Sequence, residues 1–123
     1  MVKSRGRAMP VVAAVLGLML AVSGVTKLVG ESHQVAMFTM VGLPGWFLAL
    51  VGTFEVIGGI LLLVPATTPV GSLILSTIMV GALWTHVALG EWVKLVPVGV
   101  LLALLLMIFR SNRWRAVRLL GGV

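Results

Sequence analysis

The sequence predicts an all-α protein: a transmembrane antiparallel four-helix bundle with a short extracytoplasmic interfacial helix between helices 1 and 2. Three observations predict it. The 123 residues are 60% hydrophobic and only 10% charged, with a mean hydropathy of +1.21. A soluble domain carries about a quarter charged residues, and so few charges cannot clothe a water-facing surface of this size. Four long apolar runs follow one another, and basic residues collect at the two ends of the chain.

A spanning helix needs about 20 mostly apolar residues. Spans are expected at about residues 8–29, 46–64, 70–89 and 92–109, followed by a basic tail at 110–123, all within one membrane domain covering 1–123. The fourth span is the weakest, because 96–109 is roughly 21 Å long as a helix. Beginning it at Trp92 requires Lys94 to snorkel to the interface. Continuous apolar runs, rather than short alternating ones, exclude a β-barrel.

The charges set an orientation. Lys3, Arg5 and Arg7 precede the first span, and Arg110, Arg113, Arg115 and Arg118 follow the last. The positive-inside rule then places both termini in the cytoplasm and the protein in the plasma (bacterial inner) membrane as a multi-pass chain. Between the ends, Lys27 and Lys94 stand against Glu31, Glu55 and Glu91, a net of −1. The net charge of +6 therefore reports topology, not nucleic-acid binding. The Arg-rich tail, with Trp114, is expected to touch anionic headgroups. The basic start and apolar run also resemble a signal peptide, but the run exceeds a usual h-region, and a retained first span is expected.

The outer connection at 30–45 holds an apolar segment stopped by Gly42-Leu43-Pro44-Gly45, which fits a short interfacial helix. The other two connections are short, so consecutive helices are antiparallel neighbours. Trp46, Trp84 and Trp92 fall at the outer side, as an aromatic belt would. Ala13, Gly17, Ala21 and Gly24 form a small-residue stripe on the first helix, and Gly52, Gly58 and Gly59 do the same on the second. Such stripes bring helix backbones together, within one chain or between copies in a homo-oligomer.

The absence of Cys and Asp excludes thiol relays, disulfides and thiolate metal sites, and two His with three Glu are too sparse for a di-metal centre. No metal site and no intrinsic cofactor are expected. A bis-His haem would need His33, in the outer loop, to face His86 on a helix. The chemistry rests on a few polar residues. Glu55 lies nine positions past Trp46, about 13 Å below the outer edge, where an ionisable group normally faces protein or water. Its helix neighbours Gly52, Gly58 and Gly59 make a slot. Lys27 and His86 lie near the outer ends of the first and third helices, with Ser23 one turn below Lys27. Side chains lean toward their own helix N-terminus. Lys27 and His86 therefore lean inward and Glu55 outward, and the three converge on one level. Two readings follow. Glu55 pairs with Lys27 or His86 as polar glue, or the three form a pocket that protonates or binds a headgroup. Glu91 and Lys94 read as an exposed interfacial pair, and His33 as solvated.

The segments Ser-Gly-Val-Thr-Lys-Leu at 23–28, Gly-Leu-Pro at 42–44 and Glu-Val-Ile-Gly-Gly-Ile-Leu-Leu-Leu at 55–63, with His86 near the end of the third span, together resemble the DoxX and DoxX-like family of small four-helix membrane proteins over roughly 17–89. The resemblance implies that the family's recurrent polar positions fall on Lys27, Glu55, Gly58, Gly59 and His86. It also implies a link to quinone-linked oxidation, an oxidoreductase partner, or an assembly-chaperone role. The expected function is a non-catalytic subunit or binding module of a membrane redox system, holding a quinone or lipid at Lys27, Glu55, His86, Ser23, Gly58 and Gly59, with membrane lipid around it and no nucleic acid. The alternatives are a small enzyme using Glu55 and His86 as an acid–base pair on a hydrophobic substrate, a structural or chaperone protein, and a transporter. The last is disfavoured by the absence of inverted repeats and broken spans.

Overall fold

The structure, a computed structural model, describes the backbone of residues 2–121 and the side chains of 9–112. The side chains of Lys3, Arg5, Arg7, Arg113, Trp114, Arg115 and Arg118 lie outside the described residues. Among the described residues five α-helices follow in order: α1 (Val2–Leu28), α2 (Ser32–Met40), α3 (Gly45–Leu63), α4 (Thr68–Ala88) and α5 (Leu95–Gly121). Single 3-10 turns at Pro65–Thr67 and Trp92–Lys94 lead into α4 and α5. No strand occurs among the described residues.

Among the described residues four helical stretches are long and apolar enough to cross a membrane: Met9–Leu28, Gly45–Leu63, Pro65–Ala88 and Trp92–Asn112. The fourth stretch starts at Trp92. It reaches 21 residues, and its helix continues through the basic tail to Gly121. The tail's Arg, Leu and Ala are good helix formers, and no Gly or Pro interrupts it before Gly121.

The distribution of side chains is inverted relative to a soluble protein. Val11, Val15, Leu18, Leu50, Ile57, Val80, Val96 and Met107 are exposed, whereas Glu55, Thr68, Ser72 and Ser76 are buried. Apolar groups outward and polar groups inward is the arrangement lipid demands. Hydroxyls on the outer surface are handled within their own helix. Thr53 donates to the Ala49 carbonyl, Thr77 to Leu73 and Thr85 to Gly81, at 2.8–3.0 Å, so none needs a partner from the bilayer.

Two close approaches set the packing. On α1 and α3, Gly17 meets the carbonyl of Gly59, and seven residues on, Gly24 meets that of Gly52. The numbers rise on one helix as they fall on the other, so the two cross in opposite directions. A Cβ at any of these four glycines would sit 2.6–2.8 Å from its nearest neighbouring atom, which is why small residues recur here. On α3 and α4, Gly71 meets the Gly58 carbonyl, and Gly58 meets the Leu75 side chain. The small-residue stripes thus serve packing within one chain.

The core is dense at one end. Ala13, Leu16 and Leu20 of α1, Leu62 of α3, Leu75 and Met79 of α4, and Leu105 and Ile108 of α5 form one buried cluster. At the other end, α1 and α4 each close with a left-handed glycine followed by a glutamate: Gly30 (φ 70°) before Glu31, and Gly90 (φ 71°) before Glu91. In both, the glutamate N–H reaches back to a carbonyl of the last turn, Thr26 or His86, closing the helix as a Schellman motif. Those turns aim both glutamates at the helix ends.

Glu31 caps α2, its carboxylate accepting from the N–H groups of His33 (3.1 Å) and Gln34 (3.3 Å). The bond from His33 leads the causes that hold this carboxyl below its usual 4.5. A lowered folded-state pKa means that the cap is complete above 4.5 and fades as pH falls through the lower value. Hydrogen exchange at the His33 and Gln34 amides, corrected for intrinsic rates, is therefore expected to accelerate in Glu31→Ala at neutral pH. In the native chain it should accelerate only below pH 4.5. Equal protection in the mutant would show that tertiary packing alone holds α2.

Candidate functional site

Opposite the dense end the helices line a partly open cavity of about 540 Å³, within the size range of small-molecule sites. Every helix contributes to its wall. Leu20, Met37, Phe38, Phe47, Val51 and Leu101 make it apolar, and Ser23, Lys27, Gln34, Glu55 and His86 supply the polar groups. Helix α2 covers the cavity. Its buried Phe38 packs on Phe47 of α3 with ring centroids 6.2 Å apart, and Gln34 Nε2 donates to Thr26 Oγ1 of α1 at 3.3 Å.

Lys27 Nζ lies 2.9 Å from Glu55 Oε2, with the lysine side chain 11% and the glutamate 1% exposed. Helix packing makes this possible. Lys27 Cβ lies against Gly52, one turn before Glu55, so the lysine stem rests on α3 and its ammonium reaches the carboxylate. The ammonium also donates to Ser23 Oγ at 3.1 Å. Beyond that ion-pair contact of Oε2, neither carboxylate oxygen of Glu55 makes a hydrogen bond among the described residues; Oε1 is buried with no partner at all, and so is Gln34 Oε1.

His86 lines the same cavity but does not pair with Glu55. Its Nδ1 lies 3.1 Å from Glu91 Oε1, while Glu91 Oε2 accepts from Lys94 Nζ at 2.8 Å. Lys94 first, and His86 second, hold the Glu91 carboxyl below its usual value. Glu91 is then a carboxylate, which can only accept, so His86 Nδ1 is the donor. On the neutral ring this leaves Nε2 as an acceptor.

The structure thus brings Ser23, Lys27, Glu55 and His86 to one cavity. It does not bring Gly58 and Gly59 there. Both are spent in packing, Gly58 against Leu75 and Gly59 against Gly17 and Ala21, because a glycine that admits a neighbouring backbone is covered by it. His33 is exposed and lies off the cavity wall. Glu91 and Lys94 do form the expected pair, but Glu91 is shared with His86. Gln34 was not legible as a site residue: an amide in a short polar stretch carries no motif. Glu91 had a signal in the Gly-Glu step that follows α4.

Among the described residues no group of three His, Cys, Asp or Glu could hold a metal ion. Comparisons with curated proteins and with solved structures return no match. A comparison with protein families matches the DoxX-like family over residues 11–109. That stretch holds all four spans nearly complete, together with Lys27, Glu55 and His86. The chain therefore belongs to the DoxX-like family, as an integral membrane protein.

Proposed function

We propose that this protein is a non-catalytic, ligand-holding subunit of a membrane-associated redox system, with a quinone-like or lipid-like molecule seated in the cavity. In this reading it is one membrane domain, an antiparallel four-helix bundle with both termini in the cytoplasm of a bacterial cell, and α2 lies at the outer interface of the plasma membrane. Glu55 accepts a hydrogen bond or proton from the ligand, Lys27 sets the charge of Glu55, and His86 donates or shuttles. An oxidoreductase partner supplies the redox chemistry, since this chain carries no thiol. A homo-oligomer is compatible with α5, the least covered of the four spans.

One observation carries the reading. Glu55 is 1% exposed, engages Lys27 through one oxygen, and presents the other, without a partner, in a cavity of about 540 Å³. A pair built only to lock helices together has both oxygens satisfied, because each buried orphan acceptor destabilises the fold.

Native mass spectrometry of the wild type beside Glu55→Gln tests it. A bound small molecule is expected in the wild type and absent from the variant, with fold and oligomer mass unchanged. No small molecule in either protein, with partners retained, would favour a structural or chaperone role. The acid–base alternative predicts pH-dependent turnover of a hydrophobic substrate, lost in both Glu55→Gln and His86→Gln.

A further inference from the structure

Building on the pocket reading above, we propose that the cavity selects a neutral molecule whose head donates a hydrogen bond, a hydroxyl on an apolar body, over one whose head only accepts. The argument is an inventory of donors and acceptors. Lys27, Gln34, Thr26, Thr77, Thr85 and His86 each already use a donor on the protein. Lys27 Nζ donates to Ser23 Oγ and stands in ion-pair contact with Glu55 Oε2, Gln34 Nε2 serves Thr26 Oγ1 through one of its two hydrogens, and Thr26 Oγ1 serves the Ser23 carbonyl at 2.6 Å. Thr77 and Thr85 serve carbonyls of their own helix, and His86 Nδ1 serves Glu91. An ammonium hydrogen of Lys27, the second amide hydrogen of Gln34, the Ser23 hydroxyl hydrogen and the indole N–H of Trp84 at the exposed rim remain.

The buried cavity-lining atoms that lack any hydrogen bond are all acceptors. Glu55 Oε1 and Gln34 Oε1 are both buried, both belong to cavity-lining side chains, and neither has a partner among the described residues. A carbonyl or ether head would meet the few remaining donors and leave both buried oxygens orphaned. A hydroxyl donates to one of them and can still accept from Lys27 or Ser23.

Charge narrows the class further. Lys27 and Glu55 neutralise each other at 2.9 Å, so a cationic head would face the ammonium and an anionic head the carboxylate, inside low-dielectric walls. The walls are apolar and aromatic, which suits a hydrocarbon or ring body. The ligand class is therefore a phenol, a hydroquinone or an alcohol.

The test is calorimetric titration of the full chain in lipid nanodiscs, under anaerobic conditions, with decyl-hydroquinone, its dimethyl ether and decyl-benzoquinone. The hydroquinone is expected to bind about 5- to 150-fold more tightly than either donor-free analogue, the factor set by orphaning one buried acceptor. Gln34→Leu, on the peripheral helix α2, removes one acceptor and leaves the Lys27–Glu55 pair intact. It is expected to narrow that preference while the chain stays folded. Equal binding of all three probes, or an undiminished preference in Gln34→Leu, would overturn the donor inference and leave the pocket standing. No binding of any probe would also overturn it, as expected if water alone satisfies these oxygens. The pocket reading falls only if wild type and Glu55→Gln also retain no small molecule in common purification.

Discussion

Lys27→Met is expected to destabilise the protein by about 3–5 kcal/mol, because it leaves Glu55 as an uncompensated charge in the interior. The charge has no second place to go: Glu55 is 1% exposed and its only ion-pair partner among the described residues is Lys27. Glu55→Leu alone is expected to cost less, since Lys27 is slightly more exposed, keeps Ser23, and can snorkel from its helix end. The informative variant is the double one. Replacing both members of a buried ion pair by apolar residues of similar volume is often neutral or stabilising, so Lys27→Met with Glu55→Leu should regain most of the stability lost by Lys27→Met. Denaturation by increasing SDS in mixed micelles measures all three. If the pair exists for register alone, the rescued double mutant keeps every property of the wild type. If it serves the cavity, that protein folds but no longer retains a small molecule. Failure of the double mutant to recover would mean that the pair is structurally indispensable.

Gly59→Ala is expected to destabilise the protein by about 1–3 kcal/mol or more, a larger penalty than one methyl group normally brings. Its Cβ would lie 2.6 Å from the Gly17 carbonyl oxygen and 2.9 Å from the backbone nitrogen of Ala21. Both are backbone atoms, so relief requires α1 and α3 to move apart, and that would displace Lys27 from Glu55. Gly58→Ala should cost less, because its Cβ meets the Leu75 side chain at 2.8 Å, which can change rotamer. Gly99→Ala is the control. Nothing lies within 4 Å of its Cβ, and removing a helix glycine there should stabilise by about 0.5–1 kcal/mol. Thermal unfolding in detergent ranks the three. Equal effects at positions 59 and 99 would show that α1 and α3 are not held by this contact.

Composition and spacing were enough to establish a membrane protein with four spans, because hydrocarbon admits only helices of a certain length and apolarity. They also placed Lys27, Glu55 and His86 at one level, since helix rise and the lean of side chains along a helix are local properties. What the chain pattern left open was which base meets the carboxylate, and whether the glycines beside it face a ligand. Those depend on how each helix is rotated about its axis and offset against its neighbours. For α1 and α3 the contacts between Gly17 and Gly59, and between Gly24 and Gly52, take part in setting that. They carry Lys27 to Glu55 and consume Gly59. The Gly90 turn carries Glu91 back to His86, a five-residue return that no helical periodicity encodes. Gln34 reached the cavity because Phe38 docks α2 on Phe47. Local pattern decides what a helix is and where it lies along the membrane normal. Packing between helices decides which of its polar atoms find partners and which are left facing the cavity.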